Sequence, residues 1–140
     1  MASVIKQSVL QAYRQAEYTI YSTPPCVLKI GQASHCLLQI YAQYGVDCAA
    51  FMTAFNPLGR QFSLAENAGF QERLLDQLQR CGKSVLHAGG IDPDHVWPVE
   101  DSVLVPGLGL GQASELGREY DQNAIVWCGP DAVAQLVLLR

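Results

Sequence analysis

Small polar side chains cluster at the end of an apolar run in this sequence. Residues 48–52, CAAFM, stop at Thr53, and the turn-forming pair Asn56-Pro57 follows closely. Similar residues stand at three later junctions between apolar runs and loops: Asn67, then Glu100 and Ser102, then Gln122 and Asn123. Amides and hydroxyls hold buried loops together, and they also recognise polar ligands by directional hydrogen bonds. We therefore expect these side chains to converge on one cleft near the strand ends.

Two interpretations of this polar cluster follow from its residue types. One is a structural network that fixes the loops, and the other is a site. For a site, we favour a non-catalytic domain that binds a polar small molecule or a protein partner. The alternative is a small hydrolase or transferase acting on a polar metabolite, with Glu100 as acid/base and with Asn56, Asn67 and Gln122 orienting the substrate. A carboxylate in that role needs burial to move its pKa toward the working pH.

Motifs for metals, cofactors and activated nucleophiles are missing from the sequence. His35, His87 and His95 form no pair at i+2 or i+4, so no metal-ligand spacing is seen. No serine lies in a G-x-S-x-G elbow. The glycine-rich residues 107–111, GLGLG, lack the final glycine of a dinucleotide-binding turn and favour a tight turn, with an anion at the next helix start as the alternative. We expect no metal and no cofactor.

The five cysteines are an odd number and lie far apart in the chain: Cys26, Cys36, Cys48, Cys81 and Cys128. None forms a C-x-x-C pair, so neither a zinc site nor a disulfide framework is indicated. We expect all five to be reduced, metal-free thiols in a reducing compartment.

Charge and hydropathy exclude two classes of partner. The chain of 140 residues has a net charge of −4 and no basic run, whereas binding to nucleic acid requires clustered Lys and Arg. No apolar run approaches the roughly 20 residues of a membrane span. Residues 1–20 mix Lys, Arg, Gln and Glu into apolar positions, unlike a signal peptide. We expect a cytoplasmic protein with no nucleic-acid or membrane partner.

The predicted elements alternate between strands and helices over a single domain, residues 1–140. Helices are predicted over residues 2–16, 34–44, 63–81 and 113–120. Strands are predicted over residues 17–22, 26–30, 47–53, 84–90, 102–107, 123–127 and 132–139. Ser63 and Glu66 fit a capping box at the start of the third helix.

The order of these elements predicts an α+β two-layer sandwich with a mixed, mainly antiparallel sheet. From residue 47 onward the order β-α-β-β-α-β is that of a ferredoxin-like core, and an N-terminal helix and a β-α extension precede it. We expect residues 47–53, 102–105 and 123–127 to share one sheet. A doubly wound parallel sheet is the second choice, and the long loop between the two middle strands argues against it.

Several short motifs resemble the bacterial domain-of-unknown-function family 3293. The motifs are TAFNP at Thr53 with the downstream Asn67, WPVEDS from Trp97 to Ser102, and QNA at Gln122. One residue, Val99, separates Pro98 from Glu100, which departs from the family pattern. The resemblance extends from about Tyr13 to Trp127. It implies that the polar residues at these junctions form a shared site, and it implies no reaction.

Overall fold

Over the part of the chain that the structure describes, four α-helices and seven strands make up an α+β fold. A computed structural model describes residues 5–140, so the first part of the predicted helix 2–16 lies outside the described residues. The helices are α1 Gln7–Gln15, α2 His35–Tyr44, α3 Leu64–Arg80 and α4 Leu110–Glu119. The strands are β1 Glu17–Ile20, β2 Cys26–Leu28, β3 Ala49–Met52, β4 Leu86–Ile91, β5 Glu100–Pro106, β6 Ala124–Cys128 and β7 Ala134–Leu138.

All seven strands belong to one curled sheet with the order β2-β1-β4-β5-β3-β6-β7. Every pair of neighbouring strands is antiparallel. Two isolated bridges, Ile30 to Ala134 and Ala33 to Val133, join the chain after β2 to the start of β7. The sheet therefore curls until its two edges approach each other. The predicted sharing of one sheet by residues 47–53, 102–105 and 123–127 is confirmed through β3, β5 and β6.

Helices cover both faces of the sheet, which corrects the predicted two-layer sandwich. Strand β3 is buried along its whole length, and its side chains alternate between two separate hydrophobic clusters. Phe51 lies with residues of α2 on the concave side, whereas Met52 lies with residues of α3 and α4 on the other. The predicted order of elements could not show this, because α2 returns over the face opposite to α3 and α4.

A disulfide joins Cys26 to Cys36, so the prediction that all five cysteines are reduced is wrong. Cys26 opens β2 and Cys36 lies in the first turn of α2, and packing of α2 on β2 brings the two together although ten residues separate them. Cys48, Cys81 and Cys128 are free. Disulfides are rare in reducing compartments. A cytoplasmic location therefore stays a prediction, and this bond argues against it.

Two strand boundaries matter for the site. Strand β4 extends to Ile91, and β5 begins at Glu100, two residues before the predicted start. Glu100 therefore lies in the sheet, paired with Gly90, and not in the preceding loop. No helix among residues 5–140 is long and apolar enough to cross a membrane.

Candidate ligand-binding site

The loop of residues 53–63 connects β3 to α3 and takes a conformation that few side chains allow. Asn56 has a φ of 48°, in the left-handed region that asparagine tolerates better than most residues. A short 3-10 turn, Pro57–Gly59, follows. The predicted capping box is confirmed, because Ser63 Oγ accepts from Glu66 N and Glu66 Oε1 accepts from Ser63 N. This cap fixes the start of α3 and places Asn67 one turn inside the helix.

Asn56 and Asn67 hold the loop through paired amides. Asn56 N donates to Asn67 Oδ1 at 2.8 Å, and Asn67 Nδ2 donates back to Asn56 Oδ1 at 2.9 Å. Asn56 Oδ1 also accepts from Phe62 N at 3.1 Å, and Asn67 Nδ2 donates to Phe62 O at 3.4 Å. Asn67 is only 4% exposed. Both side chains therefore make most of their hydrogen bonds to the loop itself.

Gln71 belongs to the same network, and the sequence interpretation missed it. Its Oε1 accepts from Ala54 N at 2.8 Å, and the side chain is buried. A signal for it exists, because Asn67, Gln71, Leu74 and Leu78 recur at helical spacing and are the buried residues of α3. Two polar positions at the start of an otherwise apolar stripe indicate that this end of the helix faces polar backbone.

Thr53 and Ser102 bind only nearby backbone. Thr53 Oγ1 donates to Asp101 O at 2.7 Å and accepts from Phe55 N at 3.1 Å. Ser102 Oγ donates to Glu100 O at 3.0 Å. Thr53 therefore fixes the end of β3 against β5, and Ser102 acts within β5.

Gln122 and Asn123 connect the start of β6 to the loop and to α1. Gln122 Nε2 donates to Phe55 O at 3.0 Å and to Tyr120 O at 3.2 Å. Asn123 Nδ2 donates to the hydroxyl of Tyr13 at 3.1 Å. Tyr13 was not predicted as a site residue, because the sequence shows it only as part of the apolar stripe of α1.

A cavity of about 420 Å³ lies among these elements. Its walls come from α1, from the concave face of the sheet, from the loop of residues 53–63 and from the segment before β5. Most of the lining is apolar, with Val9 and Ala12 of α1 among the contributors together with Phe51 and Val126 of the sheet. The structure brings all seven predicted site residues to this cavity: Thr53, Asn56, Asn67, Glu100, Ser102, Gln122 and Asn123.

Glu100 is a half-buried carboxylate at the wall of the cavity. Its Oε2 accepts from Asn56 Nδ2 at 3.1 Å. Among the described residues, no Lys, Arg or His nitrogen lies within 4.0 Å of it, since the ion pairs found there are Lys29 with Glu17 and Arg80 with Asp76. Burial raises the pKa of Glu100, and the Asn56 hydrogen bond only partly opposes this effect.

Three oxygen atoms at the cavity have no hydrogen-bond partner within residues 5–140: Glu100 Oε1, Gln122 Oε1 and Asn123 Oδ1. Every fully buried side-chain nitrogen and oxygen in that same part of the chain has a partner. The three free oxygens are therefore accessible, and because their residues line the cavity we infer that they open into it. The Tyr13 hydroxyl accepts from Asn123, and its own proton is likewise free for a further acceptor.

The loop of residues 92–99, between β4 and β5, contains His95 and two aspartates but forms no metal site. Asp92 accepts from the backbone nitrogens of Asp94, Val96 and Trp97, which lowers the pKa of its carboxyl. His95 is exposed and does not line the cavity. Over residues 5–140, no group of three His, Cys, Asp or Glu side chains is arranged to hold a metal ion.

Comparison with known proteins places the chain in a family. No curated protein and no solved structure matches it. Residues 52–125 match the family model described as "Protein of unknown function (DUF3293)". This segment contains all seven predicted site residues, whereas α1, β1, β2, α2 and β7 lie outside it. Because the match covers more than half of the chain, the protein belongs to this family, as the motifs around Thr53, Trp97 and Gln122 indicate.

Proposed function

We propose that this protein binds a small organic molecule in the cavity between α1 and the concave face of the sheet. The observation that carries the proposal is the combination of an apolar cavity of about 420 Å³ with free polar atoms at its wall. Known ligand pockets measure roughly 300–1,000 Å³ and combine apolar lining with a few polar groups that fix orientation. Of the two kinds of partner expected from the sequence, this shape favours a small molecule over a protein.

The use of the polar side chains also supports a site over a purely structural network. Buried polar groups in proteins are almost always hydrogen-bonded. Asn56 and Asn67 obey this rule through bonds to the loop. Within the described chain, Glu100, Gln122 and Asn123 each keep an accessible oxygen without a protein partner at the cavity, and a ligand could bind these oxygens in place of water.

A cavity-filling variant tests the proposal. Purified full-length protein is first examined by native mass spectrometry for a retained small molecule and by a thermal-shift screen of metabolites. Ala12→Phe places a large ring in the cavity from α1, and Ala42→Phe places the same ring on the exposed surface of α2 as a control. We expect Ala12→Phe to abolish the binding of any hit and Ala42→Phe to retain it. Equal binding by both variants contradicts the proposal.

Catalysis is a second candidate, favoured by one specific observation. Glu100 lies at the cavity wall with a free oxygen, and burial raises its pKa toward the range in which a carboxyl exchanges protons near neutrality. The reaction would be hydrolysis of, or group transfer from, a polar metabolite with Glu100 as acid/base. If the protein is an enzyme, Glu100→Gln should stop turnover of the bound molecule while binding continues. Unchanged composition of that molecule after incubation with wild-type protein contradicts catalysis.

We also infer that β3, α3, β4, β5, α4 and β6 form a ferredoxin-like core. The support is that β4, β5, β3 and β6 are neighbours in that order and pair antiparallel, as the split β-α-β arrangement requires. An experimentally determined structure with another order for these four strands would contradict the inference.

A further inference from the structure

We infer that the ligand of this cavity is an amphipathic amine, whose ammonium group pairs with Glu100 and whose apolar body lies against the aromatic wall. The inference rests on the proposed function and names the class of molecule bound.

Glu100 brings a poorly compensated negative charge to the cavity wall. Removing a carboxylate from water is unfavourable unless a cation or several donors compensate it. In the described part of the chain, Asn56 Nδ2 is the single donor to its carboxylate and no cationic side chain pairs with it. A cationic ligand would supply the counter-charge that the protein itself does not provide.

The charged side chains along the described cavity wall are acidic. Within residues 5–140 the lining contains no Lys, Arg or His, and the two charged residues there, Asp92 and Glu100, are both acidic. Three backbone N–H groups bind the Asp92 carboxylate, which keeps its negative charge, whereas Glu100 accepts from one side-chain amide alone in that range. An anionic ligand would meet repulsion without a compensating cation, and it is therefore disfavoured.

Most of the described side-chain polar atoms left without a partner at the cavity are hydrogen-bond acceptors. Gln122 Nε2 donates to two carbonyl oxygens, which fixes the orientation of its amide and leaves Oε1 as an acceptor. Asn123 Oδ1 and Glu100 Oε1 are acceptors too. The three free acceptors outnumber the one free donor, the Tyr13 hydroxyl proton, so they suit a ligand with several donors, and an ammonium group has up to three N–H donors.

Much of the remaining cavity wall is aromatic. Six aromatic residues line the cavity: Tyr13, Tyr18, Phe51, Phe55, Phe62 and Trp97. Tyr18 and Phe51 pack edge to face, with ring centroids 5.1 Å apart. Aromatic faces attract cations and also bury apolar groups. They suit a molecule that has an ammonium group at one end and an apolar body at the other.

A matched set of three probes tests this inference. Phenethylamine, 2-phenylethanol and phenylacetate share one aromatic body and differ in the charge of the head group. Their affinities are measured by NMR titration or calorimetry at neutral pH on wild type, on Glu100→Gln and on Glu115→Gln. Glu115 is an exposed glutamate of α4 that does not line the cavity, so its variant controls for the loss of one negative charge.

We expect wild type to bind phenethylamine about tenfold or more tightly than 2-phenylethanol, the difference that a charge-assisted hydrogen bond provides. Glu100→Gln should remove this preference while keeping the affinity for the alcohol, and Glu115→Gln should behave as wild type. Equal binding of amine and alcohol to wild type, or a preference for phenylacetate, overturns the inference.

The outcomes also separate this inference from the proposed function. If the molecule that binds wild type and not Ala12→Phe carries no amino group, the amine assignment is overturned and the cavity proposal stands. If no molecule shows binding that Ala12→Phe removes, the proposed function itself fails.

Discussion

Two groups of polar side chains meet at the cavity and use their hydrogen bonds in opposite ways. Asn56 and Asn67 use every nitrogen and oxygen of their side-chain amides within the protein, mainly on the loop that follows β3. Glu100 and Gln122 make one set of bonds to protein and leave an oxygen free at the cavity. The residue types are alike, so type and position do not separate a structural amide from a ligand-binding one. The two groups differ in how many of their donors and acceptors lack a protein partner.

The largest effect on stability is expected on the loop side, from Asn67→Ala. The change removes the Asn67 amide, which bonds to Asn56 N and to Asn56 Oδ1. Asn67 is nearly fully buried, so water cannot readily replace these bonds. We expect a loss of about 2–3 kcal/mol in the free energy of unfolding, measured by urea denaturation. Gln79→Ala, at an exposed position of the same helix, should change it by less than about 0.5 kcal/mol. Comparable small losses in both variants would show that the paired amides do not stabilise the loop.

A smaller effect of opposite sign is expected on the cavity side, from Glu100→Gln. The glutamine side chain can still accept from Asn56 Nδ2, and it removes a buried carboxylate. We expect the free energy of unfolding at neutral pH to rise by about 0.5–1 kcal/mol. A loss as large as that of Asn67→Ala would mean that Glu100 belongs to the structural group.

The same variant has a definite pH dependence. The pKa of Glu100 is raised in the folded state, so between its ordinary value of 4.5 and the raised value the folded state binds more protons than the unfolded state. Wild-type stability therefore falls as the pH rises through this window. The groups facing Glu100 are Asn56 from the loop, Tyr13 from α1 and Tyr18 from β1, and burial raises the pKa of both tyrosines, which keeps them neutral.

Denaturation curves at several pH values check the sign. The advantage of Glu100→Gln over wild type should be absent at acid pH, where the glutamate is protonated in both states, and should grow as the pH rises to neutrality. A constant difference across this range would show that burial does not raise the pKa of Glu100.

The smallest effect is expected at Asn123, which lies between the two groups because it bonds to Tyr13 and also keeps a free oxygen. Asn123→Ala removes one hydrogen bond between β6 and α1. We expect a loss of about 0.5 kcal/mol, at the low end for one part-buried hydrogen bond, and faster amide hydrogen exchange within α1, since α1 has no fully buried residue to hold it otherwise. Gln112→Ala, at an exposed position of α4, is the control. If amide hydrogen exchange in α1 is as slow in Asn123→Ala as in wild type, other contacts hold this helix.

Much of the fold could be predicted because local signals agree with it. The capping box at Ser63, the stop at Gly45 with a φ of 66° and the buried run at β3 each follow from a few adjacent residues. The junction positions of the polar residues likewise predicted that they would meet. These features depend on local backbone preference and on the ends of strands, which short stretches of sequence encode.

The remaining features depend on contacts between distant segments. The Cys26–Cys36 disulfide requires α2 to fold back on β2, and its ten-residue spacing matches no local motif. Tyr13 reads as an ordinary member of an amphipathic helix, and only its contact with Asn123 makes it part of the site. The division between satisfied and free polar atoms is equally invisible in the sequence, because it depends on which backbone group each amide reaches.

The cavity is built from two parts of the chain with different roles, and this division has a consequence for how its specificity could change. The family segment, residues 52–125, supplies the carboxylate and the amides, whereas α1 precedes it and supplies Val9 and Ala12 as part of the apolar wall. Substitutions in α1 can therefore alter the size and shape of the molecule that fits while the chemistry that recognises its head group stays the same. Members of one family could in this way bind molecules with different apolar bodies and the same kind of head group. An engineer could change the molecule that this protein binds by exchanging nine helical residues, Gln7–Gln15.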